Sequence, residues 1–200
     1  MAIPMTTYRV RLTFLEPILG STPDAKVYTQ YVAAEAQEAG KYINDEMQTL
    51  VDQPRGKTGF HRDGNKPVLY DYVIKGYLKD ACTALRRMEG TVSKGVSGHK
   101  TKIDSLVMVY PRRIPLVIRT PTFDVDRPLR AETAQGTRVT LVSSTAAAEG
   151  TMMEFTVNVL GGGISAAALE EWFEYGQYSG LGQWRSAGWG RFTAEIEAQS

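Results

Sequence analysis

Residues 180–191 read Gly-Leu-Gly-Gln-Trp-Arg-Ser-Ala-Gly-Trp-Gly-Arg, two Gly-x-Gly pairs separated by five residues, with a helical pattern before them and a strand pattern after. A dinucleotide-binding turn needs the opposite order, strand then helix, so a Rossmann architecture is excluded. No Gly-Lys-Ser/Thr closes the segment, which excludes a P-loop as well. Gly180, Gly182, Gly188 and Gly190 let backbone amides come close to a ligand, and successive amides make a concave anion nest. Arg185 and Arg191 add charge, while Trp184 and Trp189 offer flat surfaces for a base or a guanidinium. Taken singly, each of these residues is better explained by a glycine-rich packing loop with tryptophans in the core.

The remaining periodicities say what surrounds that segment. Tyr8, Val10, Leu12 and Phe14 alternate with Arg9, Arg11 and Thr13, which predicts a strand with an apolar face and a basic face. Turn residues at 20–24 lead into a predicted helix over 26–50, broken near Gly40, with Val27, Tyr31, Ala34, Tyr42, Ile43 and Met47 apolar. A helix from Tyr72 buries Val73, Tyr77, Ala81, Ala84 and Leu85 and carries Lys75, Lys79 and Arg86 as a basic stripe. Short extended stretches follow at 106–110 and 114–119. Residues 138–142 and 153–160 read as a strand pair, 166–178 as a helix N-capped by Ser165, and 191–196 as the last strand. Residues 52–68 read as a basic loop, 90–98 as a mobile glycine-containing loop and 124–137 as irregular. The order predicts an α+β, ferredoxin-like (RRM-like) antiparallel sheet with helices on one face. One domain over 1–200 is expected, with inserted loops at 52–68 and 90–102.

The chain has 200 residues, enough for a single core, and its formal net charge of +1 excludes a disordered polyelectrolyte. That near-neutrality hides an asymmetry: residues 1–54, 55–130 and 131–200 carry −3, +9 and −5. A basic middle third suits a polyanion. Cys82 is the only cysteine, so no disulfide framework or cysteine zinc site is expected, and it reads as a small buried residue. No signal peptide or membrane-spanning run is recognisable, and a soluble, cytoplasmic protein without membrane partners is expected.

The glycine-rich segment resembles the C-terminal signature of the RAMP superfamily, the ferredoxin-like RNA-binding proteins of CRISPR systems. Three further segments are similar in order: Tyr8-Arg-Val-Arg-Leu-Thr-Phe-Leu-Glu-Pro17, Ile74-Lys-Gly-Tyr-Leu-Lys-Asp-Ala81, and Asp126-Arg127-Pro through Glu149-Gly-Thr-Met-Met-Glu-Phe155. In the second, the family's Ser-Leu-Lys-Gly order is altered. The resemblance implies a backbone subunit that oligomerises along a guide or other single-stranded RNA beside other effector-complex subunits. In that reading Arg9 and Arg11 lie on the open sheet face, Lys75, Lys79 and Arg86 meet phosphates, and the glycine segment holds the strand.

Catalysis without metal needs a general acid and base, and His61 and His99 are the only histidines, each in a basic, glycine-containing segment. Some RAMP subunits cut target RNA with an aspartate after the first strand, for which Asp24, with Asp45 behind it, is the positional candidate; the glycine-rich surroundings of that aspartate are absent. A non-catalytic protein without cofactor or metal is expected. The alternatives are a metal-independent endoribonuclease processing repeat RNA, using His61 or His99 beside Tyr72 or Lys75, and a phage or mobile-element protein binding single-stranded nucleic acid.

Overall fold

The structure, a computed structural model, describes residues 3–23, 57–133 and 136–199. The predicted helix over 26–50, with Asp24 and Asp45, lies outside them. In chain order the strands before the first helix are β1 (Met5–Phe14), β2 (Ile18–Leu19), β3 (Thr22–Pro23), β4 (Lys57–Gly59), β5 (His61–Asp63) and β6 (Lys66–Tyr70). Helices α1 (Asp71–Leu85) and α2 (His99–Leu106) precede β7 (Val107–Tyr110), β8 (Arg113–Val117), β9 (Phe123–Thr133), β10 (Gly136–Ala147) and β11 (Met152–Leu160). Helix α3 (Ala166–Glu174) and β12 (Phe192–Gln199) complete the chain.

Strand β1 lies between β12 and β11, antiparallel to both, and β7 lies on the far side of β11. With α1 after β1 and α3 after β11, the chain order β1-α1-β7-β11-α3-β12 and the spatial order β12-β1-β11-β7 are ferredoxin-like. The period-two alternation read in the sequence is what builds it. Tyr8, Val10, Leu12 and Phe14 are buried, as are Met153, Phe155, Val157 and Val159 of β11. Helix α1 covers that face with Ile74, Tyr77, Leu78, Ala81, Cys82 and Leu85, the i, i+3, i+4, i+7 stripe of an amphipathic helix. Helix α3 adds Ala168, Leu169, Trp172 and Phe173, and Ser165 caps it, accepting from the Ala168 amide at 3.2 Å. The Tyr77 hydroxyl donates to the Trp172 carbonyl at 2.7 Å, and burial drives its phenol far above the ordinary value. No helix among the described residues is long and apolar enough to cross a membrane.

Four expectations change. Within 52–68, the described part is not a loop but strands β4, β5 and the start of β6, the last two joined through Gly64-Asn65 with Gly64 at φ 57°. Of residues 124–137, the described ones are not irregular: 124–133 fall in β9 and 136–137 open β10. Residues 138–142 pair with β9 and not with 153–160, which pair with β1. Over 123–128 the cross-strand partners supply the regularity while the side chains stay exposed or half-buried, so no apolar alternation marks that part of β9. Finally, residues 90–98 are stitched down. Val92–Gly95 form one 3-10 turn, and the amides of Val92 and Ser93 donate to the Glu171 carboxylate at 2.8 and 2.9 Å. Trp172 Nε1 donates to the buried Ser93 hydroxyl at 2.8 Å, and that hydroxyl donates in turn to Glu171.

Strand β10 also anchors a second sheet, running antiparallel to β2 and parallel to β4, with β3 on the other side of β4. The chain between β1 and α1 and the chain between β7 and β11 therefore meet in one layer. The expected insertion at 52–68 belongs to the first of these, whereas 90–102 runs from the end of α1 into α2.

Candidate nucleic-acid interface

The glycine-rich segment leaves α3 through a 3-10 turn, Tyr175–Gln177, and folds back so that its two ends meet backbone to backbone before β12 begins. A Cβ on Gly180 would fall 2.2 Å from the Gly190 carbonyl carbon, and one on Gly190, at φ 70°, would fall 2.0 Å from the Leu181 carbonyl oxygen. Only glycine fits where two backbones touch. The amides here donate within the protein: Leu181 to Gly190 at 2.9 Å, Gly190 to Pro17 at 3.0 Å and Gly188 to Arg185 at 3.0 Å. Glycine spacing here thus serves packing first, and what the segment presents outward is its side chains.

Trp184 is the centre of that display. It is 40% exposed, and its backbone is left-handed at φ 57°, a conformation that costs a non-glycine residue about 1–3 kcal/mol and persists only where its surroundings impose it. Trp189 stacks nearly parallel to it, with centroids 6.1 Å apart and planes 7° apart. The Arg127 guanidinium lies 4.9 Å from the Trp184 ring centroid. Arg127 also donates to Gln183 Oε1, which receives Ser144 Oγ at 3.3 Å and Thr58 Oγ1 at 3.4 Å. Strands β4, β9 and β10 therefore hold the tryptophan side of the segment in place, and partial burial lowers the Arg127 guanidinium from its ordinary value.

Beside this stack opens a cleft of about 690 Å³, walled by α1, by Tyr175 and Tyr178, and by Trp184, Arg185 and Arg191. Tyr178 is 75% exposed. Arg185 pairs with Asp80 of α1 at 3.0 Å and Arg191 with Glu16 at 2.7 Å. The Arg191 Nε hydrogen is buried without an acceptor. A wall of two tyrosines and a tryptophan, with two guanidiniums held by single carboxylates, can take a planar base and an anionic oxygen together.

The other predicted residues fall into two groups. Arg9 and Arg11 lie on the sheet face opposite the helices, where Arg9 meets Glu154 at 2.5 Å and Arg11 meets Glu154 and Glu195, each at 3.3 Å. Arg9 first, and Arg11 after it, hold the Glu154 carboxyl below the usual carboxylate range. Lys75 and Lys79 on α1 and Arg86 at its C-terminal end face α2: Lys79 meets Asp104 at 2.7 Å, Lys75 donates to the Asp104 carbonyl at 3.0 Å, and Arg86 donates to His99 Nδ1 at 3.2 Å. The hydrogen bond from Lys79 lowers the Asp104 carboxyl.

His99 is buried at the start of α2 with both ring nitrogens engaged. Thr83 Oγ1 donates to the Lys79 carbonyl at 2.7 Å, so at 2.8 Å it accepts from His99 Nε2, which assigns the neutral tautomer protonated there. Burial first, then Arg86 and Lys100, lowers the pKa of His99. His61 stands apart on β5, edge-on to Tyr70 with centroids 4.7 Å apart. Asp80, Tyr178, Gln183 and Arg127 join the site without having been expected. Only a long-range contact brings Arg127 to Trp184, so no local signal could have found it.

No family model matches the sequence, and no curated protein matches it. The fold is similar to that of a chain in the cryo-EM structure of the Type III-B Cmr-beta bound to cognate target RNA, at 14% identity and a TM-score of 0.51. The match covers 97% of this chain and 60% of that one, so the present chain spans less than two thirds of its neighbour. At that identity the likeness is one of fold.

Proposed function

We propose that this protein binds single-stranded RNA as a non-catalytic subunit of a CRISPR-type ribonucleoprotein, several copies following one guide RNA. The observation that carries the reading is the stack of Arg127, Trp184 and Trp189 beside the tyrosine-lined cleft. A strained, part-exposed tryptophan held by three strands is an expensive way to pack a loop and an effective way to present a ring to a base. Support comes from the ferredoxin-like fold shared with a chain of an RNA-bound Cmr assembly, and from the +9 charge of residues 55–130. The buried, doubly bonded His99 is spent on holding α2 to α1, which favours binding over cleavage.

Size-exclusion chromatography of gently washed protein, followed at 260 and 280 nm, tests this. A high-mass peak yielding RNA of defined length is expected, with binding that weakens steeply as salt rises. Protein that elutes free of nucleic acid and retains no single-stranded RNA at low salt overturns it.

A further inference from the structure

A second set of rings lies at the opposite edge of the main sheet from β12, in the β5–β6 hairpin and the first turn of α1. His61 meets Tyr70 edge-on, Tyr70 stacks on Tyr72 with centroids 5.5 Å and planes 16° apart, and Tyr72 is 57% exposed. In the strand register His61 pairs with Val68, and Tyr70 pairs with Arg113, so His61, Tyr70 and Arg113 share one face. The Asp71 amide donates to the Arg112 carbonyl at 3.0 Å, which sets Arg112 beside the helix start. Lys66, Arg112 and Arg113 are exposed, and Arg113 lies 3.7 Å from Asp63. Within 61–75 and 112–113, Arg62, Lys66, Lys75, Arg112 and Arg113 stand against Asp63 and Asp71, a surplus of three positive charges.

A tyrosine needed only for the core would turn inward as Tyr77 does. Here one ring supports another so that the outer face of Tyr72 is presented already ordered, and the charge around it suits a polyanion. We infer that Tyr72, backed by Tyr70 and flanked by Arg112 and Arg113, is a base-stacking subsite for an unpaired nucleotide, separate from the glycine-rich segment. This rests on the reading that the protein binds single-stranded RNA, and it adds a second point at which the strand is held.

The test uses the full chain and a fluorescein-labelled oligouridylate of about twelve nucleotides, within the range of site sizes known for single-strand-binding OB-folds. Tyr72→Ala is expected to weaken binding about tenfold, and Tyr72→Phe to keep it, because a phenyl face stacks as a phenol does. Photocrosslinking of the wild type to the same oligomer carrying 5-iodouridine should place an adduct on the peptide containing Tyr70 and Tyr72, a readout independent of how any variant folds. Wild-type binding with no adduct there, and with Tyr72→Ala unchanged while Trp184→Ala binds poorly, overturns the subsite and leaves the general reading standing. A wild type that does not bind the oligomer overturns both.

Discussion

Gly180 and Gly190 meet backbone to backbone, close enough that the first carbon of a side chain on Gly180 would fall 2.2 Å from the carbonyl carbon of Gly190. Gly180→Ala should therefore destabilise the protein by at least about 1–3 kcal/mol, because backbone has no rotamer with which to yield. Gly76, inside α1 with nothing within 4 Å of its Cβ position, is the contrast. Gly76→Ala should raise stability by about 0.5–1 kcal/mol through helix propensity. Urea midpoints of the two variants, moving in opposite directions, check the pair.

Ser93 receives the Trp172 indole hydrogen and donates to Glu171, all beneath the 3-10 turn that follows α1. Ser93→Ala leaves that indole donor without its acceptor and should cost about 1–3 kcal/mol. Hydrogen exchange would show the loss as faster exchange at Val92 and Ser93, whose amides depend on the same Glu171 carboxylate.

The His99 pKa is lower in the folded protein than its ordinary value of 6.5, chiefly through burial, with Arg86 and Lys100 adding to the effect. Folding then favours the neutral ring. Its contribution is fully present above pH 6.5 and is lost as pH falls through the folded value. Denaturant midpoints from pH 8 to 5 should decline on the acid side, and His99→Gln should flatten part of that decline. A variant that follows the wild-type curve over that range would remove His99 as the cause.

Removing the Trp184 ring should cost RNA affinity more than stability. Trp184→Ala, with the ring 40% exposed, is expected to weaken binding by about ten- to a hundredfold, the range for one lost stacked base. Arg127→Ala should weaken it less and also reduce the salt dependence, since it removes one positive charge from the stack. Fluorescence anisotropy at two salt concentrations separates the two effects.

What the sequence made legible was whatever repeats locally. The buried faces of β1 and β11 and the stripe of α1 are written in period two and period 3.6, and Ser165 caps α3 as its position suggests. Strand β9 escaped because it is held by β10 and keeps no apolar face over 123–128, and of β10 only 138–142 reads as a strand, with the wrong partner. The glycine-rich segment was visible, but its partners were not: Arg127 arrives from a hairpin fifty-seven positions earlier than Trp184, and Asp80 from α1. Lys79 and Arg86 were visible as a basic stripe, yet α2 settles alongside and gives them Asp104 and His99.

Strand β10 receives β4 in parallel and β2 antiparallel, so two stretches of chain far apart in sequence are one woven piece. Shortening either stretch to reach a minimal domain would leave the other with unpaired strand edges, a template for sticking to neighbouring molecules. A trimmed version made for biophysical work should therefore lose both stretches together or neither, and one that loses a single stretch should clump rather than simply melt earlier.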